Sequence, residues 1–296
     1  MRAPMEHTGT HGIGKRLPSL LAALLLCIGA STAAQADPAA APAGGAPVPT
    51  ADQVVERYVE ARGGAEAWAR ILAMGWTGHI ESGANGSQKI PFLMLLRRPN
   101  ATRFEVLAQN QRLVRIFDGR RGWAQRPGGE TGVDVRDYTP EEVRAALDSG
   151  GLDGPLSGYR AKNIQVELQG AELIEQRRAW KLRVTFPSGD VQWHWIDAEN
   201  YRELRYDRTA RNPMGMSGVV SVYLRNYQTV EGISLPLVIE THAAAGQAPD
   251  RMVIEKVAFN PTLMADTFQR PMEGGARHKG VVINTADPRS PGGPPR

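Results

Sequence analysis

At 296 residues, with 42% hydrophobic, 22% charged and 6% aromatic side chains, the chain holds enough apolar material for one large domain or two small ones. Its formal charge of +4 is spread over Lys and Arg that never run beyond two in a row and are interleaved with Asp and Glu, which excludes a nucleic-acid partner. The single cysteine, Cys27, excludes a disulfide framework, a cysteine zinc cluster and a redox pair.

Lys15 and Arg16 precede the Leu- and Ala-rich stretch 17–30, and Ala34, Gln35 and Ala36 follow before Asp37. Basic, apolar and small residues in that order make a secretory signal peptide over 1–36, with cleavage expected after Ala36. The alternative, an uncleaved anchor, is disfavoured because the apolar stretch falls short of the roughly 20 residues that a membrane-spanning helix needs. Leu26 stands where lipidation at Cys27 would require a small residue. The mature protein is therefore expected in the periplasm, without a thiol. Residues 37–49 are Ala, Pro and Gly with little to bury and read as a flexible arm, and 273–296 reads as a disordered tail. The folded body is expected over 50–272.

Thr50, with Gln53 three residues on, caps a helix that puts Val54, Val55, Tyr58 and Val59 on one face, and Gly63 with Gly64 stops it. A second short helix is expected over 65–72, presenting Trp68, Ile71 and Leu72. From Trp76 the period changes from 3.6 to 2. Strands are expected over 75–82, 87–97, 101–108, 111–117, 121–126, 163–168, 171–176, 179–186, 190–197, 201–207, 218–228, 235–243 and 251–259. Tight turns at Asp118-Gly119, Ser188-Gly189 and Glu231-Gly232 join neighbours directly, so their pairing is antiparallel. One helix interrupts the meander over 139–148, where Thr139 caps, Pro140 takes the first position and Glu141 and Glu142 meet the positive helix end. A single sheet of this width has to curl. The class expected is mainly β (α+β), one curled antiparallel sheet with a few short helices on its inner side.

Alternation within strands suggests what the sheet shields. Trp180, Leu182, Val184 and Phe186 share a face against Lys181, Arg183 and Thr185, and Val191, Trp193 and Trp195 alternate with Gln192 and His194. The stretch Phe92 to Leu96 is apolar on both faces, which fits a strand covered on both sides or one whose outer face packs on the N-terminal helix.

Chemistry-bearing motifs are missing: no G-x-S-x-G elbow, phosphate loop, dinucleotide fingerprint or H-E-x-x-H occurs. His79, His194 and His242 would hold zinc only if their strands were neighbours, and alternation sends His194 to the polar face. Asp197, Asp207, Glu231 and Glu240 fall near strand ends, where carboxylates ordinarily meet water. No catalytic residue, metal or cofactor is expected.

The segments RYVEARGGAEAWARI, LLRRPNATRFEV, FDGRRGWAQRPGG, GYRAKNIQVELQGAELIEQRRAWKLRVTFPSGD, WIDAENYRELR, YQTVEGISLPLVIE and VAFNPTLMADTFQRP, in that order over 52–271, resemble the exported proteins similar to the outer-membrane lipoprotein carriers and sensors LolA, LolB and RseB. The resemblance implies an unclosed β-barrel with helices as plug or lid around an apolar cavity for acyl chains. It also implies no enzymatic activity. The family's gating arginine falls among Arg97, Arg98, Arg103 and Arg112. If the greasy face lines that cavity, Phe92, Met94, Leu96, Phe104, Trp180, Leu182, Trp193 and Trp195 point inward as ligand-binding residues. The function implied is a monomeric periplasmic carrier of lipid or lipoprotein acyl chains, with envelope membrane proteins as further partners. An envelope-stress sensor or scaffold on the same fold is the alternative, and a hydrolase a third.

Overall fold

A computed structural model describes residues 48–82, 88–108, 111–128, 132–211, 217–243 and 248–271. The expected signal peptide, the arm up to residue 47 and the tail at 273–296 lie outside these described residues. Helix α1 (Ala51–Ala61) starts as its sequence dictates: the Thr50 hydroxyl accepts from the Gln53 amide (3.2 Å) and the Gln53 side chain accepts from the Thr50 amide (2.8 Å). Helix α2 (Ala65–Ala69) is shorter than expected, and α3 (Pro140–Asp148) carries the same reciprocal cap from Thr139 and Glu142. No described helix is long and apolar enough to cross a membrane.

The strands are β1 (Ala73–Glu81), β2 (Lys89–Arg97), β3 (Ala101–Ala108), β4 (Gln111–Phe117), β5 (Gly122–Pro127), β6 (Val133–Asp137), β7 (Gln165–Ile174), β8 (Arg177–Thr185), β9 (Val191–Asp197), β10 (Glu203–Arg211), β11 (Ser217–Val230), β12 (Ile233–His242) and β13 (Asp250–Phe259). They form one sheet in the order β6-β5-β4-β3-β2-β1-β13-β12-β11-β10-β9-β8-β7, with β6 and β7 at its two free edges. Every neighbouring pair is antiparallel. This is the mainly β, unclosed antiparallel architecture expected, with three short α-helices among the described residues.

Two strands differ from expectation. The stretches 163–168 and 171–176 are one strand, β7, broken in register between Leu168 and Ala171, where Gly170 takes φ +113°. Short and charged β6 has only Val133 and Val135 as apolar alternants, too weak a pattern to stand out by itself. In β1 the register slips at Gly78, where a Cβ would sit 1.9 Å from the Val253 carbonyl oxygen, so only glycine lets β13 approach.

Because β6 and β7 are opposite edges, the chain between them has to traverse the full width of the sheet. Residues 138–164 do so over the inner face, using α3 and short 3-10 turns at Gly151–Asp153 and Tyr159–Lys162. Leu152 packs with Met74, Phe92, Phe104 and Leu235 in the central inner cluster, and Leu156 joins Val54, Val55 and Tyr58 of α1 against Trp180, Leu182 and Ile196. The outer face of β2 is covered from elsewhere: Leu93 and Leu95 pack with Phe268 and Leu263 of the segment after β13, not with the N-terminal helix. Arg103 fastens that segment by donating to the Thr267 carbonyl (2.9 Å).

Candidate ligand cavity

Between the two arms of the sheet and beneath α3 lies a cavity of about 340 Å³. One wall is Trp76, Ile80, Ile90, Met94, Leu96, Phe104 and Val106 from β1 to β3, with Leu113 of β4. Val222, Ile239 and Met252 from β11 to β13 line the other, and Ala145, Ala146 and Ser149 form the roof. Strand register explains the convergence. Met94 stands opposite both Trp76 and Phe104, and Ile239 opposite Met252, and directly opposed residues share a face. A few polar groups interrupt the apolar wall: Arg115, Tyr138, Tyr206, Arg208, Thr241 and Asp250.

The roof is held at both ends. Glu142, 3% exposed, accepts from Arg115 (2.8 Å), from both terminal nitrogens of Arg136 (2.6 and 2.8 Å) and from the Thr139 amide (2.9 Å). Burial pushes its carboxyl up, but the bonds from Arg136, Arg115 and Thr139 outweigh burial and hold it at about 2. The Arg115 guanidinium lies over the Tyr138 ring (4.5 Å), whose hydroxyl burial pushes up. At the far end of α3 the Ser188 hydroxyl, on the β8–β9 turn, donates to Asp148 (2.6 Å). The loop beyond is tied by Arg98, which pairs with Asp153 and donates to the Ile71 (2.7 Å) and Trp68 (2.8 Å) carbonyls.

The sequence-derived candidates separate into three groups. Met94, Leu96 and Phe104 line the cavity, and Phe92 lies on the same face, its ring 6.1 Å from that of Phe104. Trp180 and Leu182 are on the inner face but in the packed cluster under α1, away from the cavity. Trp193 and Trp195 are on the opposite face from Leu182, because Leu182 pairs with His194 while Arg183 and Lys181 pair with the two tryptophans. On the outer face long cationic side chains cover those indoles, burying Trp195 and half-burying Trp193: the Lys181 ammonium lies 4.7 Å from the Trp193 ring and 5.4 Å from the Trp195 ring, and Arg205 covers Trp195 at 4.6 Å. His194, expected among polar groups at the surface, is instead an inner-face residue 2% exposed, bonded to Glu203 and stacked on Tyr206 (5.5 Å).

His79 and His242 are on the outer face, with Glu255 (2.8 Å) and Glu240 (2.7 Å) respectively, so the three histidines do not converge. Among the described residues no group of three or more His, Cys, Asp or Glu is placed to hold a metal. Asp197, Asp207 and Glu240 each pair with an arginine. None of Arg97, Arg98, Arg103 and Arg112 lines the cavity. Arg115 and Arg208 do, and sequence reasoning singles out neither; for Arg115 the available signal is its even spacing from Leu113 and Phe117 on β4.

Fold and cavity together define an open antiparallel half-barrel with an apolar space under a crossing helix. Neither a protein-family model nor a curated protein matches the sequence. Among solved structures, the chain is similar to a LolA superfamily protein from Nitrosomonas europaea, at 12% identity over 75% of this chain and 99% of the other, with a TM-score of 0.49. It is similar also to an outer membrane lipoprotein-sorting protein domain from Vibrio parahaemolyticus (13%, 74% and 97%, TM-score 0.48). A DUF1329 family protein from Desulfovibrio piger is a third (11%, 74% and 97%, TM-score 0.47).

Proposed function

We propose that this chain is an exported envelope protein that holds the apolar chain of a lipid or lipoprotein in the cavity beneath α3, without catalysis. The observation that carries the reading is a largely apolar cavity of about 340 Å³ with apolar side chains from both arms, within the roughly 300–1,000 Å³ of small-molecule sites. Burying about ten methylenes there contributes about 8 kcal/mol at about 0.8 kcal/mol each, enough for reversible capture. Export rests on the basic, apolar and small-residue order before Asp37. Native mass spectrometry of the protein recovered from the envelope of its own cells tests both parts. The expected result is a polypeptide beginning at Asp37 with an acyl-bearing molecule attached. A polypeptide that keeps residues 1–36 overturns cleavage after Ala36, and one with no bound lipid that no apolar chain protects from thermal unfolding overturns carriage.

A further inference from the structure

One feature of the wall beneath α3 does not suit a purely apolar guest. Arg115 reaches the cavity from β4 and is 8% exposed. Its Nη2 donates to Glu142 (2.8 Å) and its face is covered by Tyr138, but its Nε–H is buried with no acceptor among the described residues. Glu142 is shared with Arg136 (2.6 and 2.8 Å), so two guanidiniums stand on one carboxylate and the cluster keeps a positive charge. Arg208 and Asp250, which also line the cavity, add one charge of each sign. A buried donor on a charged group is costly to leave unpaired, and native proteins rarely do so.

We infer that the cavity selects amphiphiles whose head is an oxyanion, a carboxylate or a phosphate, accepting from Arg115 under α3 while the chain lies along Met94, Phe104 and Ile239. The inference rests on the cavity being a chain-binding site. A carboxylate or phosphate oxygen supplies the missing acceptor and a negative charge together, through a charge-assisted hydrogen bond from the Nε–H that Glu142 leaves unused. A neutral head of the same chain length supplies no charge. The selectivity thus lies in one strand residue and in the helix cap that orients it, since Glu142 fixes Nη2 and leaves Nε as the free donor.

The test titrates the full chain at pH 8 with dodecanoate, dodecyl phosphate and dodecan-1-ol, read by indole fluorescence, to which Trp76 in the wall contributes, and by calorimetry. At least one anion is expected to bind about tenfold or more tighter than the alcohol, as an added hydrogen bond to a charged group implies. Which anion wins separates a fatty-acid source from a phospholipid source. In Arg115→Gln the gap between that anion and the alcohol is expected to shrink to about threefold or less. Equal affinity for all three in the unaltered chain overturns the inference and leaves chain binding standing. An anion preference that survives in Arg115→Gln overturns it too. Failure of all three to bind overturns the chain-binding reading itself. Arg115→Gln removes one partner of Glu142, so its folding is verified by thermal unfolding, and the comparison in the unaltered chain decides the matter without it.

Discussion

Glu142 shows how one side chain couples local helix chemistry to the position of a whole element. As the third residue of α3 it completes the cap on Thr139, and the same carboxylate binds Arg115 of the sheet and Arg136 of the edge strand. Its folded pKa of about 2 lies below the ordinary 4.5, so the folded state binds this proton more weakly than the unfolded chain. The stabilisation is then complete above pH 4.5 and is lost as pH falls through 2. Glu142→Gln leaves two guanidiniums without their anion and is expected to cost about 3 kcal/mol at pH 7. Urea unfolding across the acid range checks it: the deficit relative to the unaltered protein should shrink as pH drops from 4.5 towards 2. Gly122 sits under the same cluster, and a Cβ there would lie 2.0 Å from the Tyr138 ring. Gly122→Ala has to lift that ring from Arg115, at an expected cost of about 1–3 kcal/mol in denaturant unfolding.

Elements differ in how far their sequence announces them. Helix α3 is written out by Thr139, Pro140 and Glu142, and Thr139→Ala is expected to cost about 1 kcal/mol in the same unfolding measurement. The sequence of β9 marks a strand but not which face it turns inward. Alternation groups Trp193 with Trp195 against His194, yet nothing within Val191–Asp197 says which set points inward. The usual assumption that the greasy set is inside fails because Lys181 and Arg205 supply a hydrocarbon and cationic cover for the indoles, while Glu203 supplies His194 with a buried partner. In strand β8 alternation does identify the inner set, but that set meets α1 and not the cavity. Leu182→Ala is therefore expected to lose about 2–5 kcal/mol of stability and to leave ligand affinity unchanged, whereas Met94→Glu places a carboxylate in the cavity wall and should weaken binding of an apolar chain. Paired measurements of unfolding and dodecan-1-ol binding on both variants distinguish core from cavity.

At the scale of the molecule, tight turns in the sequence indicate that strands pair with their successors, but they do not indicate that the first strand pairs with the last. β13 lies between β1 and β12, joining the meander of β1 to β6 to that of β7 to β13. That single insertion places β6 and β7 at opposite edges and obliges the segment carrying α3 to cross the concave face, which is what roofs the cavity. The roof is thus a consequence of connectivity, and no local pattern around Thr139 contains it. Register ties Met74 to Phe259 and Glu81 to Arg251, contacts so distant along the chain that they belong to slowly formed structure. Removing β13 strips β1 and β12 of their partners at the centre of the sheet and uncovers Ile80, Ile239 and the rest of the inner cluster. A chain ended after residue 249 is accordingly expected to lose cooperative unfolding altogether. A chain ended after residue 271 keeps Phe268 on the outer face and should unfold with the midpoint of the full protein. Circular dichroism of both truncations through a urea series checks this, and a cooperative transition in the shorter chain would show that the two meanders fold without the strand that joins them.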